Sequence, residues 1–265
     1  MTNDNQFDLL FQLVRTNFKL KYNDSVLGFL WALLKPFAIF AMLYVVFSNV
    51  SRGQNQQNFQ IYLLIGIILY TYFSESITLG MNSLLDKAHI ILKVNFNRTI
   101  AVLSNQMLAM INLAINLVIL AIFAVFNDVY VGLDTMLYFV FVLVVLTTFT
   151  MGIAFFTSVI FIRFRDLLHI TEITLQLLFY ASAIFFPITL VPERVSIFFI
   201  EEIPAQYIFK LNPLYILIQA ARNTFISGQV SFLHEVLLLA TVSAVLLIGG
   251  YYFFRNRVKK VAEFF

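Results

Sequence analysis

The sequence predicts an all-α integral membrane protein with six transmembrane helices, an N-terminal amphipathic interface helix and short re-entrant outer helices between spans five and six. Three observations predict it. Of the 265 residues, 61% are hydrophobic and 12% charged, where a soluble domain is near half apolar and a quarter charged. Six long stretches carry no charge: Pro36–Ser51, Gly53–Ser74, Thr99–Asn127, Thr135–Ile162, Ile173–Pro192 and Val236–Phe254. A helix needs about 20 mostly apolar residues to cross a hydrocarbon core roughly 30 Å thick. Finally, the cations fall on one side. With six crossings and cytoplasmic termini, the inner segments hold Arg15, Lys19, Lys21, Lys35, Lys87, Lys93, Arg98, Arg163, Arg165, Arg255, Arg257, Lys259 and Lys260. The outer segments hold only Arg52, Arg194, Lys210 and Arg222, and this excess on the inside orients the chain.

Residues 7–22 read as the amphipathic helix. Asp8, Gln12, Arg15, Thr16 and Lys19 share one arc; Phe7, Phe11, Val14, Phe18 and Tyr22 share another, flanked by Leu9, Leu13 and Leu20. Such a helix lies in the membrane interface. Asn23-Asp24-Ser25 breaks it, and the first span covers about 27–50. Trp31 sits at interfacial depth; Lys35 lies one turn deeper, its side chain tilted back toward the inner surface, and Pro36 follows. Ser51–Asn58 is a polar outer turn. The second span covers about 59–80, and the inner connection Leu84–Arg98 mixes apolar residues with Asp86, Lys87, His89 and Lys93.

Spans three and four cover about 99–126 and 135–162, joined outside by Asn127–Asp134. The fourth ends at Arg163-Phe164-Arg165-Asp166, and the fifth covers about 170–186. The segment 187–230 holds four of the five prolines, Pro187, Pro192, Pro204 and Pro213, yet stays apolar in pieces too short to span. Irregular backbone at membrane depth is tolerated only against protein or a water-filled cavity, so two short re-entrant or outer-leaflet helices are expected over the spans. The sixth span, about 232–254, ends in a basic tail, Arg255–Lys260. The whole chain reads as one transmembrane domain, and the polar N-terminus predicts no cleaved signal segment.

Catalysis finds little support. The sequence has no G-x-x-x-x-G-K-[ST] phosphate loop, no H-E-x-x-H and no G-x-S-x-G,. It has no Cys, and His89, His169 and His234 lie in separate segments, so neither a metal site nor a bound cofactor is expected. The net charge of +3 comes from juxtamembrane cations, which suits anionic lipid and not nucleic acid. Glu75 is the one acid toward the interior of a span; it is either a functional intramembrane acid or an interfacial partner for an inner Lys. This scarcity of midplane acids argues against a proton- or sodium-coupled carrier and places the energy source in another subunit.

Aromatic residues are the positive signal, with 31 Phe and 12 Tyr. Phe37, Phe40, Tyr44 and Phe47 recur on one face of the first span; Phe179, Tyr180, Phe185 and Phe186 lie in the fifth. Aromatic faces give sugars flat apolar platforms, so Tyr44, Phe47, Phe179 and Tyr180 are candidates to line a glycan path. Lipid-facing or packing rings are the plain alternative for any one of them.

Tyr22-x-x-Ser25-x-Leu27-Gly28-x-x-Trp31-x-x-x-x-Pro36 after a basic amphipathic helix, Phe164-Arg165-Asp166 after the fourth span, and Leu211-Asn212-Pro213 followed by Arg222 together resemble the membrane subunits of polysaccharide-exporting ABC transporters. The resemblance is to the O-antigen export type, related to the teichoic acid and capsule exporters, and covers essentially the whole chain. It implies a homodimer in the bacterial cytoplasmic (inner) membrane with two copies of a separate ATPase that binds the ATP and Mg²⁺. It also implies a channel lined by spans one and five, and a cargo glycan on undecaprenyl pyrophosphate. By the same resemblance Asp86, Lys87, Arg163, Arg165 and Asp166 are candidates for ATPase coupling, and Asn212, Pro213 and Arg222 for the outer gate. Arg15, Lys19 and Lys21 are candidates for the pyrophosphate, since clustered cations suit a diphosphate. Lys35 and Glu75 depart from the family pattern and receive no role from it. Two other readings stay open: an ABC permease for a small drug or lipid, and a self-contained membrane channel or enzyme.

Overall fold

The computed structural model describes residues 3–22, 25–53, 58–91, 93, 96–129, 131–188, 191, 194–197, 200–204 and 209–258. Asn23, Asp24, Pro192, Lys259 and Lys260, named above, lie outside them, as does most of the outer turn before Asn58. Helix α1 spans Asn3–Tyr22, and a 3-10 turn at Gly28–Leu30 leads into α2, Trp31–Gly53. There follow α3 (Phe59–Asn82), α4 (Ala88–Ile91), α5 (Thr99–Phe126), α6 (Leu133–Arg163), α7 (Leu167–Ala181), α8 (Pro213–Ile226) and α9 (Leu233–Arg257). Five helices, α2, α3, α5, α6 and α9, are long and apolar enough to cross a membrane, and α7 is a shorter apolar one. This all-α arrangement is consistent with roughly six spans.

Helix α3 is the axis of the bundle. It has buried residues on every side, from Phe59 to Met81, as expected of a helix surrounded by others. Helices α6 and α9 are joined through small residues: a Cβ on Gly250 would lie 2.6 Å from the Gly152 carbonyl oxygen, and one on Gly152 would lie 2.9 Å from backbone of Leu246. In lipid, where apolar burial between helices is weak, such backbone approach is a main source of association.

Helix α1 packs along the inner part of α5. Leu13, Val14 and Tyr22 are buried while Phe7, Phe11 and Leu20 are exposed, so its apolar residues divide between protein and lipid. Asn17 Nδ2 donates to Asn105 Oδ1 at 2.9 Å and Tyr22 Oη to Asn112 Oδ1 at 3.0 Å. The two helices therefore run in the same direction, and α1 rises with α5.

Two expectations between spans five and six are corrected. The fifth span was expected to be helical to 186, but α7 stops at Ala181; at 1.5 Å per residue its 15 residues cover only about 22 Å. Of the two short outer helices expected, the described residues show one, α8. The first is replaced by an antiparallel hairpin, β1 (Arg194–Ile197) with β2 (Ile200–Pro204), pairing Val195 with Ile203 across an irregular register. Val195, Ile197, Ile200 and Ile203 are β-branched, which favours the extended backbone over a helical turn.

Candidate functional site

The outer-gate candidates converge on the break after α7. Ala183 has φ +48°, a left-handed conformation that costs a non-glycine residue of order 1–3 kcal/mol unless its surroundings enforce it. The carbonyls that the broken helix leaves without partners are taken up by side chains from elsewhere. Asn212 Nδ2 donates to the Ala181 oxygen at 3.1 Å and to Ser182 Oγ at 2.9 Å. Arg222 donates from Nη1 to Ala183 O at 3.0 Å, from Nη2 to Ile184 O at 2.6 Å and from Nε to Tyr62 O at 2.9 Å. Tyr62 Oη donates to Phe186 O at 3.1 Å.

Arg222 is 0% exposed, with its guanidinium 3.5 Å from the centroid of the Tyr62 ring. Gly66 makes room for it: a Cβ there would lie 2.3 Å from Nη2. Asn212 also caps α8, its side chain accepting from Leu214 N at 3.0 Å with Pro213 in the first turn, the arrangement these residue types favour. Asn212, Pro213 and Arg222 are thus one unit that holds the end of α7. Arg222 lies inside the protein and not on an outer surface.

The channel candidates fall into two groups. Phe47 of α2 meets Phe185 at 4.9 Å between centroids, and Phe179 and Tyr180 each meet Phe185 at 5.9 Å. Spans one and five are therefore joined by rings, and Phe185 is the hub. Tyr44 is apart, stacked between Phe40 at 5.8 Å and Phe59 at 6.2 Å, with its hydroxyl accepting from Gln60 Nε2 at 3.0 Å.

The inner candidates also divide. Asp86 after α3 and Arg163, Arg165 and Asp166 between α6 and α7 are exposed. Lys87 is not among them, because it is 3% exposed and donates to Asn105 Oδ1 at 2.6 Å and to Ala101 O at 3.4 Å. Burial pulls its ammonium down from 10.5 to about 8, and the Asp86 carboxylate only partly opposes this,. An internal anchor is what this placement permits; direct contact with a partner is not. Arg15 and Lys19 are exposed on α1, whereas Lys21 forms an ion pair with Glu75. Of the two readings open for Glu75, pairing with an inner Lys is the one seen.

That pair forms one wall of a cleft of about 570 Å³ between α2, α3, α5 and α7. Asn112 Nδ2 donates to Glu75 Oε1 at 2.6 Å, and Asn116 Nδ2 donates to Asn112 O at 2.8 Å. Asn116 is 5% exposed, and its Oδ1 has no hydrogen-bond partner among the described residues; leaving a buried acceptor unpaired costs about 1–3 kcal/mol. Lys35, Trp31, Tyr70 and Phe179 are also part of the lining. Hydropathy reading left this cleft out, although Lys35, Glu75, Asn112 and Asn116 were visible as polar residues within apolar helices.

The chain resembles three curated proteins over nearly its whole length. It is 28% identical over 255 residues to the O-antigen export system permease protein RfbA of Myxococcus xanthus, covering 96% of this chain and 94% of that protein. Two proteins of the same name from Klebsiella pneumoniae are each 26% identical, over 97% and 92% of this chain and 95% and 90% of theirs. Residues 8–226, from α1 through α8 and so including the cleft and the break after α7, match the ABC-2 type transporter family. The chain is a multi-pass membrane subunit that belongs to the ABC-2 type transporter family.

Proposed function

We propose that the chain is the channel-forming permease of an ATP-driven exporter that moves a lipid-linked polysaccharide, of the O-antigen kind, across the bacterial cytoplasmic membrane. The observation that carries this reading is the cluster of Phe47, Phe179, Tyr180 and Phe185 joining the first and fifth spans. It sits beside faces of α2 and α7 left largely open, with Met42, Val45, Leu177 and Tyr180 all more than half exposed. Open faces on two neighbouring spans suit a second copy of the chain, with the rings lining a path between the protomers. Flat apolar rings let a polymer slide without deep binding minima. The likeness to permeases named for O-antigen export supports the cargo class.

Energy then comes from a separate ATPase that binds ATP and Mg²⁺. It docks from the cytoplasm on the inner ends marked by Asp86, Arg163, Arg165 and Asp166, and the termini lie on the same side. A glycan on undecaprenyl pyrophosphate fits the exposed cations Arg15 and Lys19, which can attract the diphosphate, while Lys21 is engaged by Glu75. Deleting the gene in its host should remove long-chain surface polysaccharide and leave undecaprenyl-linked glycan accumulating inside; restoring the gene should reverse both. Unchanged surface polysaccharide in the deletion strain would end this reading.

A further inference from the structure

We propose that the cleft between α2, α3 and α5 is a saccharide-phosphate subsite, in which Asn116 Oδ1 accepts a sugar hydroxyl, Trp31 offers an aromatic face and Lys35 meets the adjoining phosphate. The inference rests on the export reading above and deepens it by naming where, and by which groups, the lipid-proximal sugar is recognised.

Polar side chains on membrane-embedded helices are costly and normally serve a partner. Here most of them satisfy one another: Lys21 with Glu75, Glu75 with Asn112, Asn112 with Tyr22. Two groups stay over. The Asn116 oxygen is buried and unpaired among the described residues, and Lys35 has no carboxylate partner among them. One unpaired cation and one unpaired neutral acceptor, on walls of the same cleft, ask for a ligand with an anionic group and a hydroxyl donor. A phosphorylated sugar has both. Counting Lys21 and Lys35 against Glu75, the cleft carries a formal charge of +1, the sign an anion requires.

The α2 side of this wall is loosely tied, because Asn116 Nδ2 reaches Ala32 O only at 3.5 Å, the long limit of a hydrogen bond. Oδ1 is itself buried, so the subsite requires this loosely tied wall to open when a ligand enters. Trp31, half exposed at the same wall, presents an apolar ring with a polar tip, the type of side chain that serves partly wet surfaces.

Trp31 is the sole tryptophan of the chain, so its fluorescence reports on the cleft alone. The full chain in liposomes of fixed composition would be titrated with farnesyl diphosphate and with farnesyl diphosphate carrying one N-acetylhexosamine. The sugar-bearing probe should saturate the Trp31 response at a concentration roughly tenfold lower, the size of one hydrogen bond to a matched polar group. Asn116→Leu should abolish that preference while keeping the response to farnesyl diphosphate, which also shows that the variant is folded. Asn116→Ala gives the same comparison where leucine is not accommodated. Lys35→Gln should weaken both probes and leave the preference.

A phosphate-only site for lipid headgroups predicts equal responses to the two probes in the wild type. That result, or an undiminished preference in both Asn116 variants, would overturn the subsite. It would leave the export reading standing, since that reading depends on surface polysaccharide in the deletion strain.

Discussion

Arg222→Met is expected to be among the most destabilising single substitutions in this chain. A methionine fills similar volume, and replacing buried charged groups by apolar ones is often neutral when every partner is replaced too. Here the partners are the backbone carbonyls of Tyr62, Ala183 and Ile184, which no substitution removes. The Ala183 and Ile184 carbonyls would lose these donors at once, each at about 1–3 kcal/mol, while Tyr62 O keeps its bond within α3. A combined loss of roughly 2–6 kcal/mol is a large part of the 5–15 kcal/mol that typically holds a fold. Arg222→Lys should not rescue it, because an ammonium on a flexible stem lacks the rigid fork that reaches three carbonyls. Gly66→Ala should act in the same direction by pushing on Nη2. The check is the unfolding temperature and the monodisperse yield in mild detergent; an Arg222→Met protein with wild-type values would show that the break after α7 holds itself.

Asn105→Leu should separate ATP hydrolysis from export. Asn105 is 3% exposed and lies where four segments meet. Its Oδ1 accepts from Asn17 of α1 and from Lys87 of the connection after α3, and its Nδ2 donates to Leu79 O of α3 at 2.8 Å. Movement of the inner connection thereby reaches α1 through one side chain of α5. With leucine, the buried Lys87 ammonium keeps only Ala101 O at 3.4 Å, a local loss of about 1.5–3 kcal/mol for a bond to a charged group. In the assembled transporter, export should fall at least about tenfold while ATP turnover continues. Asn105→Asp should recover much of it, since a carboxylate still accepts from both donors. Wild-type export from the leucine variant would remove Asn105 from the coupling path.

Much of this architecture was legible in the sequence because hydropathy is a local property. The spans starting near 59, 99, 135 and 232 needed only a run of apolar residues and a charge at each end. Asn212, Pro213 and Arg222 were legible as a group only through the resemblance to polysaccharide-exporting ABC permeases. Their actual role could not be read, since it depends on bonds to carbonyls 31 to 39 residues away and to Tyr62 at a separation of 160. The end of α7 at Ala181 is invisible for the same reason: residues 182–186 are as apolar as the helix before them, and long-range donors alone make a break affordable there. The hairpin at 194–204 escaped because short apolar runs do not distinguish strand from helix by period.

Lys87 shows the converse error. A Lys in an inner connection reads as a surface cation, and only the tertiary placement of Asn105 and Ala101 reveals it as buried. The cleft follows the same pattern. Glu75 suggested an ion pair from sequence, but the orphaned oxygen of Asn116 exists only once α1, α2, α3 and α5 are assembled.

The central claim is that this chain is the passive half of an ATP-driven machine. The most direct measurement is to extract the tagged chain from its native membrane in mild detergent, identify what co-purifies and assay ATP hydrolysis. The account predicts a P-loop ATPase in equal number to this chain, with hydrolysis in the complex and none from the chain alone. A chain that purifies without any ATPase in every detergent tried, and is active by itself in liposomes, would contradict it.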